Sequence, residues 1–398
     1  MSKIEKLTDT TVSATQLRGA IARSKLTKES TVVAALLAAA PYTDAAGEEI
    51  SRHGAKLVDI TRADTAFAVL DTFLSEYGLS NKEGVALMCL AEALLRIPDH
   101  RTAELLIADK VQLGDWIAHV GISESTLVNA STWGLVLTGS VISVDREFTA
   151  QPKKWLQQLI NRVSEPFVFA AMRTAMKILG REFVLGTTID NALKNSESGG
   201  LYSYDMLGEA ARDASTAARY LDAFHAALDA IGASDKLSSV PPSISIKLSA
   251  LHPRYEFSQR DRIISELVPI LKKLCLSAAD HNIDVTIDAE EAYRLDLSLD
   301  VFETLARDPE LAPQQQLGMV IQAVSKRAPL VIDWLVALAK ETGRTIPVRL
   351  VKGAYWDAEI KHAQVAGLSG YSVFTRKPTT DLSFLVCARK ILDHPDEL

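Results

Sequence analysis

Beyond residue 200 the apolar positions change period repeatedly, from alternation at every second residue to stripes at helical spacing, and the two patterns follow one another five times. Period two marks strands and period 3.6 marks helices, so this half predicts a parallel sheet with helical crossovers. The predicted strands are Leu201 to Leu207, Ser243 to Leu251, Val285 to Glu290, Gly318 to Ala323 and Pro347 to Gly353. Between them, Ala210 to Ile231 places Ala217, Tyr220, Leu221, Phe224 and Leu228 on one stripe. Arg260 to Ala279 does the same with Ile264, Leu267, Leu271 and Leu274, and Leu330 to Lys340 is shorter and equally apolar. Before residue 200 the readable pattern is helical. Ser30 to Ala40 stops at Pro41, Gly84 to Ile97 stops at Pro98, and Pro166 to Phe183 carries Phe167, Phe169, Met172, Met176 and Leu179. Thr187 to Asp190 reads as the start of a short helix over Ala192 to Lys194, and Leu382 to Leu392 as a late one.

The predicted strands carry polar residues at one parity. Ile244, Ile246 and Leu248 alternate with Ser245, Lys247 and Ser249; Val285, Ile287 and Ala289 alternate with Thr286, Asp288 and Glu290; and Gln322 sits between Ile321 and Ala323. A sheet covered by helices on both faces should be apolar throughout. In a closed (βα) barrel the branched residues pack outward on the helices, while inward residues near the C-terminal strand ends build the site. The expected fold class is therefore α/β, a (βα)8 TIM-barrel type that is incomplete at about five strands, preceded by an all-helical arm and α domain. A doubly wound sheet would show a glycine-rich phosphate loop after its first strand, and Asp205-Met206-Leu207-Gly208-Glu209 is not one.

Composition narrows the class further. A chain of 398 residues, 47% hydrophobic and 23% charged, suits a soluble globular protein of two or three domains. A net charge of -7 argues against a general grip on nucleic acid. The longest apolar run, Val32 to Ala40, is nine residues, too short to span a bilayer, so a cytoplasmic protein is expected. Cys89, Cys275 and Cys387 are far apart in apolar contexts and read as buried thiols. No metal is expected, because the eight histidines form no H-x-x-x-H pair.

Candidate chemistry concentrates in Val348 to Asp357, where Arg349 sits in an apolar strand that ends in Gly353, Tyr355 and Trp356. A cation there needs a fixed partner or a ligand. Two readings stay open on this segment alone: a strand tip facing a flat, electron-rich cofactor, and an edge strand whose Arg349 and Lys352 reach water.

Five segments in order carry a resemblance: Ser203 to Glu209, Ser245 to Tyr255, Ile287 to Ala292, Val320 to Ala323 and Arg349 to Asp357. Together they resemble the proline dehydrogenase domain of bacterial bifunctional proline utilization A. The likeness covers the last half of the chain strongly and the helical part weakly, through Trp133-Gly134-Leu135 and Leu137-Thr138-Gly139. It implies an N-terminal helical arm over 1–57, a helical α domain over 58–182 and a partial barrel over 183–398.

The resemblance further implies FAD-dependent oxidation of L-proline to Δ1-pyrroline-5-carboxylate by hydride transfer to the flavin N5, with electrons passed to a membrane quinone through peripheral contact at the inner membrane. By similarity Arg349 lies by the flavin ring, Gln322 bonds its pyrimidine edge, and Val351, Lys352, Gly353, Ala354 and Trp356 line the cofactor. Lys247 would pair with the substrate carboxylate, Ala354 and Tyr355 would touch the proline ring, and Asp288 would organise the polar wall. Lys247, Asp288, Arg349 and Tyr355 are thus the implied catalytic set, and Thr375, Arg376, Lys377 and Thr380 the part reaching the FAD ribose and adenine. Asp288 has a structural alternative as an ion pair with Lys247 or Arg349 inside a barrel, and Glu290 and Glu291 read as support.

The chain also departs from that family. Eight strands need three more βα units after Gly353, of order 100 residues, where 45 remain. The family's late Tyr-x-x-Arg-Arg helix and its aldehyde dehydrogenase domain have no match. Residues 1–57 do not resemble the ribbon-helix-helix segment of DNA-binding members, so no nucleic acid is expected. A homo-oligomer is expected of the full-length form, and association of the chain alone through unpaired edge strands. Two other functions stay in view: a flavin-binding or dimerising module without turnover, and another flavin barrel such as a folate reductase.

Overall fold

The computed structural model of the protein describes residues 12–40, 43–63, 184–234, 240–311 and 317–398. The helices expected at Gly84 to Ile97 and Pro166 to Phe183, Cys89 and the Trp133 segment lie outside the described residues. The chain divides into two compact units, Met1–Gly47 with Thr188–Leu398, and Glu48–Thr187. In chain order the described elements are α1 (Ala14–Arg23), α2 (Glu29–Ala39), α3 (Asp44–Ala63), α4 (Ile189–Asn195), β1 (Ser203–Asp205), α5 (Ala214–Gly232), β2 (Ser243–Ile246), α6 (Arg260–Asp280), β3 (Asp284–Ile287), α7 (Leu295–Ala306), β4 (Leu317–Gln322), α8 (Ala328–Thr342), β5 (Val348–Val351), α9 (Trp356–Val365) and α10 (Lys377–Leu392). From Glu48 onward, α3 belongs to the second unit. Among the described residues no helix is long and apolar enough to cross a membrane.

Local chemistry sets the helix ends. Ser13 and Gln16 form a reciprocal capping box on α1, Thr188 caps α4 through the Asn191 N–H, and Asp213 caps α5 through the Thr216 N–H. Gly343 ends α8 in the left-handed conformation that glycine adopts without a Cβ clash.

The five strands are all parallel and lie in sequence order, β1-β2-β3-β4-β5. Their register aligns Asp205 with Ser245, Ser245 with Thr286, Thr286 with Gly318 and Val320 with Arg349. One parity is apolar and buried: Ile244, Ile246, Val285, Ile287, Met319 and Ile321 are each at most 3% exposed and belong to one core with Leu267, Leu271, Leu299, Phe302, Leu335 and Leu338 of the crossover helices. Each such side chain contributes about 1.5–3 kcal/mol by leaving water. The other parity is concave and carries most of the polar side chains. Arg349 on β5 reaches Ser203 on β1 at 3.4 Å, although four strand spacings in a flat sheet would separate those strands by roughly 19 Å. The sheet is therefore curled into a half-barrel, the incomplete (βα)8 architecture.

The strands are shorter than their alternation suggests. After Ile246 the chain leaves the sheet, and Leu248–Leu251 is a single buried helical turn. Ser249 therefore does not continue the inner strand face; its N–H donates to Glu290 Oε1 at 3.0 Å. Helices α1, α3, α7 and α9 are additions to the predicted set.

The N-terminal α1 docks on α8. Leu17 and Ile21 are buried, the Arg18 guanidinium lies 5.7 Å from the Trp334 ring, and Phe302 meets that ring edge-on at 6.2 Å. Trp334 is fully buried, and its indole N–H has no hydrogen-bond partner among the described residues. Its stabilising role is thus packing. W334A should lower stability in urea unfolding by about 3–5 kcal/mol, and W334F by clearly less, because no hydrogen bond is lost with the indole.

Candidate active site

Parallel strands deliver their C-terminal ends to one mouth, and three expected site residues meet there. Lys247 follows β2, Asp288 follows β3 with its N–H on the Ile246 carbonyl at 2.9 Å, and Arg349 lies within β5. Lys247 Nζ donates to Asp288 Oδ2 at 3.0 Å and to Asp205 Oδ1 at 3.1 Å. Arg349 donates to Asp288 Oδ1 through Nη2 and to Ser245 Oγ through Nη1 at 2.9 Å. One carboxylate thus holds two cations from strands on either side of it. Its side chain is 8% exposed, against 15% for Lys247 and 37% for Arg349, so the anion is buried and the guanidinium faces the mouth.

Burial raises the Asp288 pKa above the usual aspartate value, and Lys247 and Arg349 only partly offset this. Burial pulls Lys247 down, but Asp288 and Asp205 outweigh it and hold the ammonium above an ordinary lysine. Both directions describe one network in which the carboxylate depends on its cations.

A second group surrounds the β4 and β5 ends. Gln322 Nε2 donates to the Glu290 carbonyl at 2.8 Å, and its Oε1 accepts from the Ala354 N–H at 3.3 Å. Gly353 adopts φ +128°, and an added Cβ would lie 2.5 Å from Val324 Cγ1 and 3.0 Å from Gln322 Oε1. Its lack of a side chain is therefore demanded by this packing. Val351 is half-buried on the concave parity, Ala354 is exposed, and Trp356 is 41% exposed while its indole N–H donates to the Phe374 carbonyl at 2.8 Å.

The remaining expected residues are not drawn into the Asp288 network. Tyr355 donates to Glu209 Oε2 at 2.9 Å, and burial, then the Glu209 bond, raise its pKa, which keeps the phenol protonated. Lys352 Nζ and Lys377 Nζ share Asp381, at 2.5 and 2.6 Å. Thr375 bonds Glu29, Arg376 is the exposed N-cap of α10, and Thr380 is buried inside that helix. A partly open pocket beside the β4 end is lined by Glu290, Gln322, Val324 and Tyr355 together with residues of α7 and α8. The thiols of Cys275 and Cys387 are pushed up to about 12 by burial and are inert.

Beyond Glu290, expected as support, several residues of the site had been given no role. Asp205 shares the inner parity of β1 with Ser203, and position at a strand end was its signal. Asp381 lies four residues after Lys377, a helical spacing readable in advance. Glu290 is 6% exposed and takes Ser249 N–H and Arg294, and Glu359, also 6% exposed, accepts from the Ala292 N–H at 2.5 Å and Ser372 Oγ at 3.0 Å. Glu29 stands 346 positions from Thr375, and no local pattern announces that contact.

K247M tests the network. It leaves Asp288 with less counter-charge, so its folded pKa rises further above the unfolded value; the neutral form is favoured by folding at low pH, and the loss grows as pH rises through the folded value. Urea unfolding should show a deficit of about 3 kcal/mol at pH 7 that shrinks toward pH 4.

Residues 188–398 match the family model described as proline dehydrogenase, and residues 69–183, outside the described residues, match one described as the DNA-binding domain of proline dehydrogenase. The bifunctional protein PutA of Escherichia coli is 46% identical over 389 residues, which is 95% of this chain and 29% of that protein. The Rhizobium meliloti bifunctional protein PutA is 44% identical over 374 residues, 93% of this chain and 30% of that protein. The chain thus spans less than a third of these curated relatives. A crystal structure of a Bradyrhizobium japonicum proline utilization A variant superposes with TM-score 0.64 at 42% identity, over 93% of this chain and 37% of that one. With more than half of its length matching that one model, and a half-barrel whose polar mouth lies in the matched part, the chain belongs to the proline dehydrogenase family.

Proposed function

We propose that this chain supplies the cofactor-side part of an FAD-dependent oxidation of L-proline to Δ1-pyrroline-5-carboxylate, with electrons passed on to a membrane quinone. The observation that carries the reading is the shared Asp288, which fixes Lys247 and Arg349 side by side at the mouth of a sheet in the proline dehydrogenase family. A flat cofactor fits the residues present: the Trp356 ring and the Arg349 guanidinium are both partly exposed, and Ala354, next to Tyr355 in the chain, is exposed and small. A flavin bound there supplies the acceptor for the hydride that leaves proline.

The protein's own residues orient and neutralise. Lys247 pairs with the proline carboxylate, and Asp288 keeps its ammonium charged and aimed. Arg349 places fixed positive charge beside the cofactor ring, where negative charge accumulates on reduction. Gln322 holds the ring's polar edge, while Val351, Lys352, Gly353, Ala354 and Trp356 line it. Tyr355, protonated and anchored by Glu209, packs with Ala354 against the substrate ring. Thr375, Arg376, Lys377 and Thr380 serve the ribose and adenine end.

Titration with FAD should give yellow protein that L-proline bleaches under anaerobic conditions. R349M should weaken FAD binding or slow bleaching by about tenfold or more, a change of roughly 1.4 kcal/mol, while R254M, on an exposed loop, changes neither. Equal effects of the two substitutions would remove Arg349 from the site. Yellow protein that proline does not bleach would reduce the chain to a flavin-binding module, and bleaching by methylenetetrahydrofolate in place of proline would make it a folate reductase.

A further inference from the structure

The loop before α10 is held from the far end of the chain. Glu29, the first residue of α2, accepts the Thr375 N–H on both carboxylate oxygens at 3.1 Å and the Thr375 hydroxyl on Oε2 at 2.9 Å. Two residues earlier, the Thr27 carbonyl accepts from Lys326 Nζ at 2.8 Å, and Lys326 is 6% exposed. Farther along α2, Leu36 packs with the buried Phe374 and Val386. The loop is also stitched to the sheet, through Phe374 N–H on the Val324 carbonyl at 2.9 Å and Lys326 N–H on the Ser372 carbonyl at 3.2 Å.

We propose that Glu29 is a positioning residue that latches the loop of Thr375, Arg376 and Lys377, so that the N-terminal helix α2 completes the binding site for the adenylate half of the cofactor. The inference rests on the functional reading above and adds to it an element outside the barrel. Bonds to an ionised acceptor are the strong ones, and a carboxylate in the first turn of α2 is further held by that helix's own dipole. The hydroxyl of Thr375 is committed as a donor to Glu29, which leaves its lone pairs to accept from a ribose hydroxyl. Arg376 and Lys377 follow directly at the start of α10, which has no side-chain cap, and the Lys377 side chain is 77% exposed. The latch therefore fixes the backbone of the loop, leaves Arg376 exposed toward an anionic ligand, and keeps Lys377 within reach of that ligand through its shared partner Asp381.

The alternative is that Glu29 only docks α2, a task it would share with Leu36. The full chain is titrated with FAD and with FMN, which lacks the adenylate, for the unsubstituted protein, E29A, E29Q and L36A, and hydrogen exchange of the Thr375 amide is followed in each. E29A should raise the FAD dissociation constant about tenfold, leave FMN binding unchanged and speed exchange at Thr375; E29Q, which keeps one acceptor oxygen, should fall between; L36A should lower thermal stability with little effect on FAD. FAD affinity unmoved by E29A, or lowered as much by L36A as by E29A, would overturn the latch and leave the functional reading standing. Absence of FAD binding in the unsubstituted chain would overturn both.

Discussion

Asp288 needs two cations because its carboxylate has been removed from water, and the concave face is arranged around that need. An isolated anion at this depth would shed its charge by taking up a proton. Lys247 and Arg349 keep it ionised, and each comes from a different strand end, so the pairing ties β2, β3 and β5 into one curve. The same bonds that make the carboxylate tolerable hold two positive groups at fixed positions beside an open mouth. Structural and functional readings of Asp288 are thus one arrangement, in which a buried anion presets cations for an incoming carboxylate and an electron-rich ring.

The two faces of the sheet have separate duties. Isoleucine, valine and methionine on the outer parity pack on α6, α7 and α8 and give the sheet its stability, which lets the inner parity carry serine, threonine, aspartate and arginine without losing the core. The loops leaving the C-terminal strand ends are then tied to one another by side chains that serve no apolar core. Gln322 joins the Glu290 carbonyl to Ala354, and Glu359 joins Ala292 to Ser372. This second layer keeps loops that face a ligand from wandering, as a preorganised site requires.

Much of this was legible beforehand. The alternation in Ser243 to Ile246 and Val285 to Ile287 assigned the inner and outer faces correctly, because a strand's side chains must alternate whatever surrounds it. The motifs at Lys247, Asp288, Gln322 and Arg349 marked the mouth. Strand length was not legible, since the alternation runs on through Leu248 and Ser249 after the backbone has turned into a helix. At Gly353 the structure adds its own demand, as its neighbours Val324 and Gln322 leave no room for a Cβ.

The amino-acid sequence by itself determined the period of the strands and of the main crossover helices, the division of the sheet into a polar and an apolar face, and the family, because these depend on residues close together along the chain. Only the tertiary structure decided partners: that Asp288 takes both Lys247 and Arg349, that Tyr355 is held by Glu209, and that Thr375 is held by Glu29. Those contacts join segments 41 to 346 positions apart. Periodicity carries no information across such separations, and the curl of the sheet and the docking of the N-terminal helices bring the partners within bonding distance.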